Sequence, residues 1–200
     1  MKRTLSIAAM LCVSALATQV LAAPAAKTVL EDPVGDANFV NDQGQGDGSF
    51  GDNETPADVS SVTDLMKVTI SNDKKNVHVT FETEAGPPAT QGVGYRLRVN
   101  PDGPGGTYCL HFEAFFPGAG NDLEEAKAHL RDTCTGETTE AKVLASTITV
   151  PRKASKAFAK GAVLKAPQAH GFIYVGSYPA GVPFPVVDTT KKGEDYKLVK

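Results

Sequence analysis

The chain reads as all-β, an antiparallel β-sandwich of jelly-roll or immunoglobulin-like type with one short helix. Three observations predict this. Apolar residues recur with period two in several short runs. Gly, Pro, Asn and Asp gather between those runs, where they set turns. No strand–helix–strand alternation and no repeat of 20–50 residues points to a parallel or solenoid architecture.

The clearest element is a hairpin. Val62, Asp64, Met66, Val68 and Ile70 alternate with Thr63, Leu65, Lys67 and Thr69. A polar turn, Asn72 to Asn76, follows, and then Val77, Val79 and Phe81 alternate with His78, Thr80 and Glu82. Val93 to Val99 predicts a third strand, with Val93, Tyr95, Leu97 and Val99 inward and Arg96 and Arg98 outward. Tyr108 to Phe116 predicts a fourth, after the turn Asn100 to Gly106. Asp122 to Cys134 fits either a capped helix or a strand, and the strand is preferred because it sets Cys134 beside Cys109. Thr147 to Val150 is a short strand, and Arg152 to Lys160 carries Ala154, Ala157 and Phe158 at helical spacing. Ala162 to Lys165 and Gly171 to Ser177 are further strands, Pro179 to Pro185 a loop, and Asp195 to Val199 a strand closing the sheet.

The N-terminus carries a different message. Lys2 and Arg3 precede an uncharged stretch from Leu5 to Val20, and Val20-Leu21-Ala22 places small residues at −3 and −1. This predicts a signal peptide over residues 1–22, cut before Ala23 and leading to a secreted, extracellular protein. An uncleaved anchor is the alternative, since the stretch is nearly long enough to span a bilayer. Residues 23–57 read as an Asp/Gly-rich, loop-like segment packing on a domain that runs from 58 to 200.

The 200 residues hold 20 basic and 23 acidic side chains, a net charge of −3. Cleavage would remove Lys2 and Arg3, leaving 18 against 23. An acidic balance argues against nucleic acid or an anionic membrane as a partner. Two cysteines remain after cleavage, Cys109 and Cys134, and an isolated pair in an oxidising compartment predicts a disulfide.

The strongest local chemistry is Glu31-Asp32-Pro33-Val34-Gly35-Asp36, followed by an Asp- and Asn-rich loop and by Asp58-Val59. Calcium takes six to eight oxygens, and such a stretch supplies carboxylates on turn-forming backbone. The pattern is not an EF-hand, because Gln43 and Gln45 stand where carboxylates belong. A solvated acidic loop explains the composition equally well.

Asp32-Pro33-x-Gly35-Asp36, the Gly-rich loop, Asp58-Val59 and the strand Asn76 to Phe81 together resemble the opening of a secreted β-sandwich module. That module occurs in family-9 carbohydrate-binding domains, glucodextranase C-terminal domains and DOMON-like domains, and Thr147 to Pro151 is similar to its later half. The resemblance implies a structural calcium, with Asp32, Asp36 and Asp58 as ligand candidates. The chain is expected to be a non-catalytic, monomeric binding module for a carbohydrate or cell-envelope component. One departure matters: these modules stack sugars on tryptophan, and this chain has none. Tyr174 and Tyr178 are the surface aromatics expected to substitute, while Tyr95 and Tyr108 read as core. A structural or protein–protein interaction domain of the extracellular space, and a hydrolase, stay open as alternatives.

No Gly-x-Ser-x-Gly or His-Glu-x-x-His occurs. His78, His111, His129 and His170 are scattered, and three of them alternate with apolar residues, which predicts solvent-facing rings.

Overall fold

A computed structural model describes residues 26–33, 35, 61–85, 92–118, 122–174 and 183–199. The chain is all-β. Ten strands form one curled antiparallel sheet in the order β1-β2-β3-β8-β7-β6-β5-β4-β10-β11. They are β1 Lys27–Glu31, β2 Leu65–Asn72, β3 Asn76–Thr83, β4 Val93–Val99, β5 Leu110–Phe115, β6 Lys127–Asp132, β7 Glu137–Leu144, β8 Thr147–Pro151, β10 Gln168–Tyr174 and β11 Pro183–Thr189. β9 Val163–Leu164 and β12 Tyr196–Lys197 pair separately as a two-stranded ribbon, so the C-terminal strand does not join the large sheet as expected.

β7 is the hinge of the curl. Its first half pairs with β6 and its last three residues, Lys142 to Leu144, pair with β8. The two halves of the sheet therefore turn their apolar faces toward one another. Val68, Ile70, Val77, Val79, Phe81, Ile148 and Val150 meet Tyr95, Leu97, Val99, Leu110, Phe112 and Leu130 in one core. Phe81 and Tyr95 stack across it at 5.3 Å. The predicted hairpin, the inward set of β4 and the strand reading of 126–134 all hold. The helix expected after β8 is two short 3-10 turns, Arg152–Ala154 and Lys156–Phe158, with Phe158 stacked on Phe112.

Three expectations change. The segment read as loop contains β1, an edge strand on β2. A bulge between Thr28 and Leu30 turns the adjacent Val29 and Leu30 both inward, so alternation is lost from the sequence. The strand expected from Val62 starts only at Leu65, because residues 61–63 end a helical turn. β11 includes two of the loop prolines, tolerated because it lies at the sheet edge.

The curl closes at residues 62–65. Tyr95 Oη donates to the Val62 carbonyl at 2.6 Å. The Leu65 N–H donates to Asp188 Oδ2 of β11 at 2.7 Å. Gly171 of β10 lies so close to Thr63 that a Cβ there would overlap the Thr63 carbonyl oxygen. The C-terminal tail is tied by Asn72, whose Oδ1 accepts from Tyr196 Oη and from the Val199 N–H.

Candidate functional site

Of the expected calcium ligands, Asp36 and Asp58 lie outside the described residues. Asp32 is half-buried just after β1, its N–H donating to the Met66 carbonyl at 3.0 Å. Gly35, in the left-handed region at φ 82°, donates its N–H to Asp64 Oδ2 at 2.5 Å. Gly35 thus sits on Asp64, a residue not expected as a ligand. Asp64 is fully buried and its Oδ1 has no hydrogen-bond partner. A buried carboxylate oxygen needs a donor or a cation, so this corner fits a calcium ion in part. Among the described residues, no three His, Cys, Asp or Glu side chains converge as a metal site. The set that would hold the ion therefore requires Asp36 or Asp58 beside Asp64.

Cys109 and Cys134 form the expected disulfide, with Cα atoms 5.1 Å apart. Tyr174 is not a surface aromatic. It is buried, its ring 4.7 Å from Phe115, in a small cluster with Phe172 on the face of β10 away from the main core. Tyr178 lies outside the described residues.

That second face of β4, β5, β6 and β10 carries the charged residues that alternate with the core. Registers align them in rows. One runs Thr189, His170, Arg96, Glu113, His129 and Glu140, and the next Gln168, Arg98, His111 and Arg131. Of the histidines expected in solvent, His78 keeps 28% of its side chain exposed, whereas His129 is 4% exposed and His170, on the same face, 6%. Glu113, 1% exposed, is the hub. Its Oε1 accepts from Arg96 Nε at 2.5 Å and its Oε2 meets His129 Nε2 at 2.5 Å. Burial opposes ionisation of Glu113, but the His111 and His129 rings and the Arg96 guanidinium outweigh it. They hold the carboxyl far below the usual range. His170 shifts down to about 3, through burial and then the charges of Arg98, Arg96 and His111.

One row further along, the pattern changes. Arg98 donates from Nη2 to Gln168 Oε1 at 2.8 Å and lies 4.9 Å over the Tyr108 ring. No carboxylate among the described residues pairs with it. A recess of about 510 Å³ opens here, lined by Arg98, Gly105, Gly106, Thr107, Tyr108, His111 and Thr133. Tyr108, read from the sequence as core, forms its wall. Three buried polar atoms without hydrogen-bond partners belong to these linings: Arg98 Nε, Tyr108 Oη and His111 Nδ1. The disulfide fixes the recess. Thr133, next to Cys134, donates its hydroxyl to the Tyr108 carbonyl at 2.6 Å and its N–H to the Cys109 carbonyl at 2.8 Å. A second recess of about 480 Å³ lies between Thr28–Glu31 and Lys191–Glu194.

A third grouping has the composition of a hydrolytic relay. His78 Nδ1 meets Thr149 Oγ1 at 3.0 Å, and His78 Nε2 meets Asp73 Oδ2 at 3.3 Å. Thr149, however, is a mid-strand residue paired on both sides, to His78 and to Lys142. The surrounding backbone amides belong to the ladder, so among the described residues no free N–H pair beside Thr149 offers the oxyanion donors of acyl transfer.

The chain matches no protein-family model, no curated protein and no solved structure.

Proposed function

We propose that the chain is exported and acts as a non-catalytic extracellular binding module for a carbohydrate. A structural calcium where Gly35 meets Asp64 completes the proposal, with Asp32, Asp36 and Asp58 as its further ligand candidates. The observation that carries the binding reading is the recess beside the disulfide. Its volume of about 510 Å³ lies in the range of small-molecule sites, which typically enclose roughly 300–1,000 Å³. It combines a guanidinium and an imidazole from adjacent strands with an aromatic ring and hydroxyls from the connecting loops, a mixture suited to the apolar face and hydroxyl edge of a sugar.

The neighbouring charges favour binding over catalysis. Glu113 has both oxygens engaged, and an acid/base carboxylate must have one free to reach the reacting atom. The disulfide and the leader-like N-terminus agree with life in an oxidising compartment.

The test is thermal unfolding of the disulfide-bonded protein in calcium buffer against a panel of neutral and acidic oligosaccharides. A ligand at a hundredfold excess over its Kd stabilises by about 2.7 kcal/mol. At roughly 2–4 °C per kcal/mol for a chain of this size, a true ligand raises the midpoint by several degrees. A folded protein whose midpoint no glycan in the panel moves contradicts the reading.

A further inference from the structure

We infer that the recess takes an acidic sugar, its carboxylate or sulfate group seated between Arg98 and His111. This rests on the binding-module reading and gives it a ligand class.

The contrast with Arg96 carries the inference. Both arginines project from the same face of β4. Arg96 is neutralised by Glu113, whereas Arg98 is half-buried with no carboxylate among the described residues and a buried Nε that has no partner. A half-buried guanidinium with no counter-charge gains from an anion that reaches it, and the recess gives one access. Tyr108 lies 4.9 Å from the guanidinium and Gln168 takes one N–H of Nη2, leaving Nη1 and the second Nη2 proton for a forked contact with a carboxylate or sulfate, the geometry in which arginine exceeds lysine. His111 lines the same recess. Its Nδ1 stands 3.8 Å from Glu113 Oε1, beyond hydrogen bonding. The chain as a whole is negative, so general attraction does not draw an anion here, and the Arg98 guanidinium must, with His111 Nδ1 as a further hydrogen-bonding group.

The experiment is calorimetric titration of the disulfide-bonded protein with a galacturonate trisaccharide, its neutral galactose counterpart, and sodium sulfate alone. The acidic trisaccharide is expected to bind at least about tenfold more tightly than the neutral one, the size of a lost charged hydrogen bond. Arg98→Gln is expected to erase that preference, and Arg98→Lys, which keeps the charge and the stem, to recover only part of it. Circular dichroism confirms that each variant is folded. Equal binding of the acidic and neutral sugars, or a preference unchanged in Arg98→Gln, overturns the acidic-sugar inference while leaving the binding module standing. Sulfate binding as tightly as the trisaccharide overturns the sugar and leaves only an anion site. A folded protein that binds none of the three probes overturns the inference, and the glycan panel then decides the module separately.

Discussion

Arg96 and Arg98 stand two residues apart on one strand face, yet only Arg96 has a carboxylate. Its Nε reaches Glu113 at 2.5 Å, while Arg98 lies over Tyr108 with Gln168 as its hydrogen-bond partner. The first arginine completes a buried charge layer and the second faces a recess. Breaking the Arg96 pair should cost far more stability than removing Arg98.

Glu113→Gln leaves Arg96 without its counter-charge inside the sheet and changes the acceptor facing His129. Removing one partner of a buried pair costs about 3–5 kcal/mol, and the 15% exposure of the Arg96 side chain places this case at the low end. Chemical denaturation should show that loss with an unchanged slope. Arg98→Gln should change stability by well under that amount.

The same layer sets the acid limb of stability. His170 is held down at about 3 in the folded chain, against an ordinary value near 6.5. The unfolded state therefore binds protons first as pH falls, so the stability is complete above about 6.5 and drains between there and 3. Glu113, also depressed, adds its loss lower down, below its ordinary range. Denaturation midpoints measured from pH 7 to 4 should fall steadily in the wild type and more shallowly in His170→Gln.

Much of this fold was legible from alternation. The hairpin β2–β3 and the inward set of β4 show period two because one face meets the core. β7 was not legible. In Glu137 to Leu144 only Thr139, Ala141 and Val143 are half-buried, the last two against the core, so its apolar period is too short to stand out, and pairing on both sides makes it a strand. β1 and the start of β2 were blurred by bulges that break the count. At the site, the polar residues of β4, β5, β6 and β10 were visible as the non-core face. Nothing in their spacing could reveal that this face is itself largely buried. Asp64 looked like one tooth of a strand, because the turn that sets it under Gly35 comes from a contact 29 residues away.

Calcium should stabilise the protein through the Asp64 corner. At a hundredfold excess over Kd the gain is about 2.7 kcal/mol, several degrees in the unfolding midpoint, reversed by chelator. Asp64→Asn and Asp36→Ala should each abolish the calcium shift. Coincident curves in calcium and chelator would remove the metal and leave the recess untouched.

Breaking the disulfide should act on stability and binding together. Closing a loop with a sequence separation of 25 removes about 3.5 kcal/mol of unfolded-state entropy in the chain model. The double variant Cys109→Ser, Cys134→Ser should unfold roughly 7–14 °C lower. It should also bind the acidic trisaccharide more weakly, since Thr133 and Tyr108 lose their staple.

At the closure of the curl, Gly171→Ala should destabilise by about 1–3 kcal/mol or more, because the added methyl meets the Thr63 carbonyl, a backbone atom that cannot rotate aside. Urea melts of this variant beside Gly136→Ala, whose Cβ meets open space at positive φ, separate crowding from backbone strain.

The most direct measurement is amide chemical-shift mapping of the labelled protein during titration with the galacturonate trisaccharide. Shifts should concentrate at Arg98, Gly105 to Tyr108, His111 and Thr133, and saturate together with one Kd. Shifts concentrated instead at Thr28–Glu31 and Lys191–Glu194, or none anywhere at millimolar ligand, would contradict a glycan site in the recess.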